Sequence, residues 1–385
     1  MSKRILQIVS GLDPRTGGVV NALEGLASAL SDTDLSIEVA ASYRAECDWS
    51  VAERLSDRGV AVTKIGPVKT PMEWHAALKS IVRQSVSQAD VVHIHGVWEE
   101  IQHQAARACQ SLGKPYICSP HGMLDPWSLG QSKLRKAIYR RLRLTRNLNR
   151  ASRIHCCSRI EGQLLEPLGL KPPHIVEPNG LDFREFDPLP EAGRFRSKHP
   201  QLANQKVILF LSRLHHKKGL DLLFPAFAEA DLQDTTLVLA GPCDPAYRIE
   251  LDKMVAASGL SSDRVFFVGM LHGPARIEAM VDADVFVLPS YQENFGIVVA
   301  ESLAAGTPVL ISDQVNIWPE IEEAGVGIVC QTNVPSLVEA MQRMIANPDA
   351  ISVAVCQSLA KERYDWRSIA QRWVGHYRSL ADASA

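Results

Sequence analysis

Short apolar runs alternate with amphipathic stretches along most of the chain. Runs such as VVHIH at 91–95 and VFVL at 285–288 are too short for helices and read as buried parallel strands. The pattern predicts strands over 5–10, 36–41, 60–65, 91–95, 116–119, 153–157 and 174–177. After a break it predicts more over 206–213, 236–240, 265–268, 285–288 and 309–311. Helical periodicity fills most gaps, as in 19–30, 335–345 and 351–364. Strands alternating with helices imply parallel sheets covered on both faces, with ligands beyond the carboxyl ends of the strands. The break carries Pro188, Pro190 and Pro200 and reads as a linker over 186–204. A first α/β domain is therefore expected over 1–185 and a second over 205–365. The last stretch, 366–385, is an amphipathic helix with Trp366, Ile369, Trp373 and Tyr377 on one face, a core stripe and not a ligand box.

A chain of 385 residues is too long for one compact core, which agrees with two domains. Apolar content of 46% and charged content of 22% are those of a globular protein, and a net charge of −2 argues against a nucleic-acid partner. The eight cysteines show no C-x-x-C and no paired metal-ligand spacing. That pattern fits a reducing cytoplasm. The apolar run in the opening MSKRILQIVSGLDP is too short for a signal peptide. No D-x-D metal motif is present, and neither a metal nor a cofactor is expected.

Candidate chemistry gathers at strand ends. The stretch SYQENFGIVVAESLAAGTP at 290–308 reads as a loop followed by a helix over 296–305. A helix N-terminus at a sheet edge favours anions, because its first N–H groups lack partners. Glu293 and Glu301 flank this turn. Carboxylates beside an anion site serve as acceptors for hydroxyl groups, so the combination suits a molecule carrying both phosphates and hydroxyls. Arg213 closes the predicted strand at 206–213, and Lys218 directly precedes a glycine-opened helix. Two fixed cations and free helix N–H groups make a diphosphate site. The turn at Gly17-Gly18 reads either as backbone approaching a ligand or as a tight turn needing glycine. His93 and His95 point to one face of their strand and read as core or cleft histidines. His121 lies just past a strand end, followed by Gly122, with Asp125 one turn on.

The segments around Glu293–Glu301 and Arg213–Lys218, with PNGLD at 178–182 and PHGMLDPW at 120–127, resemble the retaining, nucleotide-sugar-dependent glycosyltransferases of family 4. The resemblance covers essentially the whole chain, except that Ser212 replaces the usual glycine before Arg213. It implies the GT-B fold, two doubly wound Rossmann-like α/β domains facing across a cleft, with the terminal helix crossing back to the first. It further implies transfer of a sugar from a UDP- or GDP-sugar to an acceptor hydroxyl with retention, in exopolysaccharide, lipopolysaccharide or glycolipid assembly. By position, Arg213 and Lys218 hold the diphosphate, Glu301 the ribose and Glu293 the sugar. Phe295, Gly296 and Ile297 offer N–H groups, Gly17 and Gly18 approach the sugar and phosphates, and Gly269 and Met270 lie near the base. His121 reaches the donor sugar near the reacting carbon, and Asp125 is an acceptor-side residue.

Residues 131–150 contain eight lysines and arginines and no acid. Leu134, Ile138, Leu142 and Thr145 recur at near-helical spacing. Two readings stand: a solvated helix whose apolar stripe packs on its own domain, or a basic surface meeting anionic lipid at the inner face of the membrane, where a saccharide or lipid-linked acceptor is presented. Rival functions are a glycosidase, which leaves Arg213 and Lys218 without purpose, a non-catalytic sugar-binding protein, and an epimerase or phosphorylase on the same fold.

Overall fold

The computed structural model describes residues 2–69, 73–261, 263–347 and 350–383. Contacts divide the chain into two units: residues up to Gly180 together with Trp366 onward, and Leu181–Asp365.

The first unit holds a seven-stranded parallel sheet in the order β3-β2-β1-β4-β5-β6-β7. Its strands are β1 (Arg4–Val9), β2 (Ser36–Ser42), β3 (Ala61–Ile65), β4 (Val91–His95), β5 (Tyr116–Ser119), β6 (Arg153–Cys156) and β7 (His174–Val176). Each face of this sheet carries its own apolar core. On one face the terminal helix Trp366–Asp382 lies beside the helix Gly18–Ser31 and buries Ile369, Trp373 and Tyr377. Trp366 lies so close to Gly25 and Gly180 that a β-carbon at either position would approach its ring to 2.5 Å or less.

The second unit holds a six-stranded parallel sheet in the order β10-β9-β8-β11-β12-β13. Its strands are β8 (Lys206–Leu211), β9 (Thr235–Ala240), β10 (Val265–Gly269), β11 (Val285–Leu288), β12 (Val309–Ser312) and β13 (Gly327–Cys330). The edge strand β13 escaped the sequence reading, because its half-buried GIVC is too short and too lightly apolar to stand out. In both sheets the strand order reverses beside the first strand of the unit. β1 there pairs with β2 and β4, and β8 with β9 and β11. Such a switch point opens a crevice at the carboxyl ends of the strands.

The boundary between units falls after Gly180, earlier than the expected 185. Residues 186–204 are not a free tether. Phe195 is buried, and Arg196 holds the Asp282 carbonyl and the Asp284 carboxylate at 2.9 Å each, within the second unit. Proline spacing alone cannot reveal this anchoring.

Candidate functional site

At the switch point of the second sheet, the loop after β8 meets the loop after β11. Gly219 makes this approach feasible. Its φ is +72°, and a β-carbon there would sit 2.1 Å from the Pro289 carbonyl oxygen. The Tyr291 N–H donates to the Lys217 carbonyl at 2.9 Å and the Tyr291 hydroxyl to Asp221 at 2.7 Å, tying the two loops further. Glu293 is fixed by its own backbone, which exchanges hydrogen bonds with Gln314 and Asn316 at 2.9 and 3.0 Å.

These contacts bring Lys218 and Glu293 together as a direct, half-buried ion pair. The sequence reading gave them separate duties and did not foresee that they touch. An ammonium has three donors, so the pair leaves Lys218 with N–H groups to spare. Arg213 is exposed and makes no hydrogen bond or ion pair among the described residues. The helix Ile297–Ala304 begins beside them, with Gly296 at its cap. The N–H groups of Phe295, Gly296 and Ile297 have no acceptor among the described residues. Cations, free N–H groups and a carboxylate therefore share one sheet edge.

Glu301 lies on the first turns of that helix and is only 7% exposed. One oxygen receives Arg276 at 2.9 Å, while the other is buried with no hydrogen-bond partner. Burial pushes its pKa up to about 7 against the pull of Arg276, and Glu185 adds to the rise. Arg276 also grips Glu185 at 2.7 Å. The sequence offered no signal for Arg276 or Glu185: an arginine in the helix Pro274–Val281 looks like any solvated one. Gly269 and Met270 stand exposed at the end of β10, and the Gly269 carbonyl is already taken by the Gly241 N–H at 2.8 Å.

In the first unit, His121 follows β5 in a left-handed backbone, φ +52°. Glu161, also unforeseen, clamps this turn: its buried carboxylate accepts the N–H groups of Gly122 and Cys157, each at 2.6 Å. His121 Nε2 lies 3.0 Å from His95 Nδ1. His93 and His95 are buried, as read from the sequence. Gly17 has φ +98°, so its glycine is needed for the turn. A β-carbon on Gly18 would meet nothing within 4 Å, so protein packing does not demand glycine there. Asp125 is buried and caps the helix Pro126–Gly130, accepting the Ser128 N–H at 2.6 Å.

Over 131–150 the stripe does not pack on its own unit. Leu134, Ile138 and Leu142 are 75%, 52% and 72% exposed. The segment is anchored instead by Leu144 and Leu148, with Arg143 on Glu100 at 2.8 Å and Lys136 on the Ser128 carbonyl at 2.6 Å. Among the described residues no helix is long and apolar enough to cross a membrane.

Two Rossmann-like units with this edge chemistry define a nucleotide-handling protein of the GT-B fold. Two family models match: "Glycosyl transferase 4-like domain" over 17–180 and "Glycosyl transferases group 1" over 192–366. The chain belongs to the group 1 glycosyltransferases of the family 4 type. It is 31% identical over 207 residues to an uncharacterised glycosyltransferase of Methanocaldococcus jannaschii, spanning 52% of either chain. The chain thus spans about half the length of that relative. Against the Xanthomonas campestris GDP-mannose:cellobiosyl-diphosphopolyprenol alpha-mannosyltransferase it is 24% identical, with 98% of this chain and 97% of the relative covered. Among solved structures, Anabaena HepE in complex with UDP and glucose superposes with a TM-score of 0.78 at 21% identity, covering 98% of this chain and all of that one.

Proposed function

We propose that this glycosyltransferase moves a hexose from a UDP- or GDP-sugar to an acceptor hydroxyl with retention, in polysaccharide or glycolipid assembly. The observation that carries the reading is the shared edge at the β8–β11 switch point. There Arg213, Lys218 and three free N–H groups lie beside Glu293 and Glu301. A phosphate-linked polyol needs both halves of that edge. The contact between Lys218 and Glu293 matches a diphosphate seat next to a sugar seat, since the two groups are bonded in the donor. The names of HepE and the X. campestris relative, with UDP, glucose and GDP-mannose, support this donor class.

In the reaction the bond from the anomeric carbon to the diphosphate oxygen breaks, and a bond from that carbon to the acceptor oxygen forms on the same face. Negative charge grows on the leaving diphosphate, where Arg213, Lys218 and the helix start stabilise it. The acceptor proton passes to the donor phosphate. Glu301 receives the ribose hydroxyls on its unpartnered oxygen, Glu293 those of the sugar, and Gly269 and Met270 border the base. His121, Gly17 and Gly18, all in the first unit, are sugar-binding candidates.

A panel of UDP-, GDP- and ADP-sugars tests this. The donor, at a hundredfold excess over its Kd, is expected to stabilise the protein by about 2.7 kcal/mol and raise its melting temperature. The product's anomeric linkage, read by NMR, should match the donor's. Turnover should persist in EDTA, because fixed cations supply the charge. Stabilisation by none of the panel, or loss on chelation restored by magnesium or manganese, would contradict the respective claims.

We further propose that the exposed stripe Leu134, Ile138 and Leu142, ringed by basic residues, docks on anionic lipid from the cytoplasmic side and meets a lipid-linked acceptor. Each basic residue near such a surface contributes about 1 kcal/mol, weakened by salt. Arg135 and Arg141 are the residues to reverse, because Arg143 and Lys136 are held by their own unit. Arg135→Glu with Arg141→Glu, or serine at all three apolar positions, is expected to abolish co-sedimentation with phosphatidylglycerol vesicles at low salt. Wild-type protein that ignores those vesicles would refute the docking.

A further inference from the structure

Beneath His121 an unbroken run of seven hydrogen bonds crosses the core of the first unit. It starts at the backbone carbonyl of Glu177, 2.8 Å from His155 Nε2. His155 Nδ1 lies 2.6 Å from the Ser119 hydroxyl, whose oxygen lies 2.6 Å from His93 Nε2. His93 Nδ1 lies 2.7 Å from the Tyr377 hydroxyl, which is 3.0 Å from Gln7 Nε2. Gln7 Oε1 is 2.7 Å from His95 Nε2, and His95 Nδ1 is 3.0 Å from His121 Nε2.

The direction of every bond follows from the first. A carbonyl only accepts, so His155 carries its proton on Nε2 and, being neutral, leaves Nδ1 bare. Ser119 must donate to that nitrogen and so accepts from His93 Nε2. His93 Nδ1 is then bare and takes the Tyr377 proton. The tyrosine oxygen accepts from the Gln7 amide nitrogen, which turns Oε1 toward His95. His95 donates from Nε2, leaves Nδ1 bare, and must receive a proton from His121 Nε2. Neutral rings are what this core favours: burial, the leading cause in each, holds His93 and His95 well below the usual histidine range, His155 at about 4 and His121 at about 3. The Glu177 carboxylate does not disturb the chain, because Arg372 and His376 occupy it at 2.7 and 3.1 Å.

We propose that this run is a tautomer lock: it fixes His121 as the Nε2–H imidazole with a bare Nδ1, and Gln7, His93, His95, Ser119, His155 and Tyr377 are positioning residues for it. The Cys157 sulfur lies 3.7 Å from that Nδ1 and 3.8 Å from Asn179 Oδ1, and with a single weak proton for both it yields the nitrogen to a stronger donor. On the proposed function, His121 therefore accepts a hydrogen bond from a sugar hydroxyl. It does not donate to phosphate from this nitrogen, and it is no acid at neutral pH.

Nitrogen NMR of the full chain with labelled histidine tests the lock, with His121→Gln assigning the resonance. Between about pH 6 and about 8, a range in which an ordinary histidine titrates, His121 is expected to show a protonated Nε2 and a bare Nδ1 throughout. A protonated Nδ1 in the wild type overturns the proposal. Ser119→Ala removes the hydroxyl that links His155 to His93, and Tyr377→Phe cuts the chain at a second point, so one folded variant suffices. In either, His121 is expected to divide between both tautomers, and turnover to fall about tenfold, roughly the worth of one hydrogen bond, with donor KM within about twofold. A single Nε2–H tautomer persisting in the cut chain, or full turnover despite mixed tautomers, also overturns it. The wild-type spectrum needs no substrate, so absent turnover would count against the proposed function and not against the lock.

Discussion

Lys218→Ala is expected to lower turnover by about 10²- to 10³-fold, the scale on which removing one group that stabilises developing negative charge acts. Lys218 projects from the turn after β8, which the tight Gly219 approach pins against the β11 loop, so its position is set before any ligand arrives. The substitution has a second effect. It strips Glu293 of its partner, and a half-buried carboxylate left alone costs on the order of 1–3 kcal/mol of stability. Lys218→Ala combined with Glu293→Gln isolates the stability effect: the double variant leaves no lone carboxylate and should recover melting temperature. Arg213→Ala supplies the complementary case. Arg213 is exposed and without a hydrogen bond or ion pair among the described residues, so its loss should leave stability unchanged while turnover falls on a similar scale. Near-normal turnover in Lys218→Ala and Arg213→Ala alike would remove the diphosphate assignment.

The second large effect is expected at Glu301, where pH and donor binding are linked. Its pKa in the free protein is raised from 4.5 to about 7, mainly by burial. The folded state therefore holds this proton more tightly than the unfolded chain does. Stability is highest below the unfolded value, falls as pH rises through the interval, and reaches its full loss, on the order of 3 kcal/mol, above about pH 7. Donor hydroxyls would donate to the ionised carboxylate and so favour loss of the proton. Donor affinity should accordingly rise with pH up to about 7 and then level off, with proton release measurable by calorimetry in buffers of different ionisation heat. Glu301→Gln should melt higher than wild type at pH 8, weaken donor binding by about 10- to 100-fold through lost charge-assisted hydrogen bonds, and flatten the pH dependence. Unchanged donor affinity in Glu301→Gln would be fatal to the ribose role.

The buried polar run in the first unit and the exposed edge in the second use histidine and glutamate in opposite ways. His93, His95 and His155 are neutral, mutually satisfied and enclosed. Glu301 is enclosed but keeps one oxygen without a partner. A fully paired network holds geometry, whereas a buried acceptor left open is expensive unless a ligand completes it.

The sequence alone determined the alternation of strands and helices, the two-sheet organisation and most strand positions, because apolar period and run length are local properties. It also located Arg213, Lys218 and Glu293 just past strand ends and Glu301 in the helix that follows, since a strand–turn–helix unit is written in consecutive residues. Tertiary structure alone decided what those residues meet. The Lys218–Glu293 pair joins loops that follow different strands, and Arg276 reaches both Glu301 and Glu185, which lie on separate elements. The run beneath His121 draws Gln7 from β1, His93 and His95 from β4, Ser119 from β5, His155 from β6 and Tyr377 from the last helix. Local pattern fixes which side of a strand a residue faces. Only the order in which the strands are laid side by side fixes its neighbours, and the strand order 3-2-1-4-5-6-7 sets β4 between β1 and β5, where these polar groups become one chain.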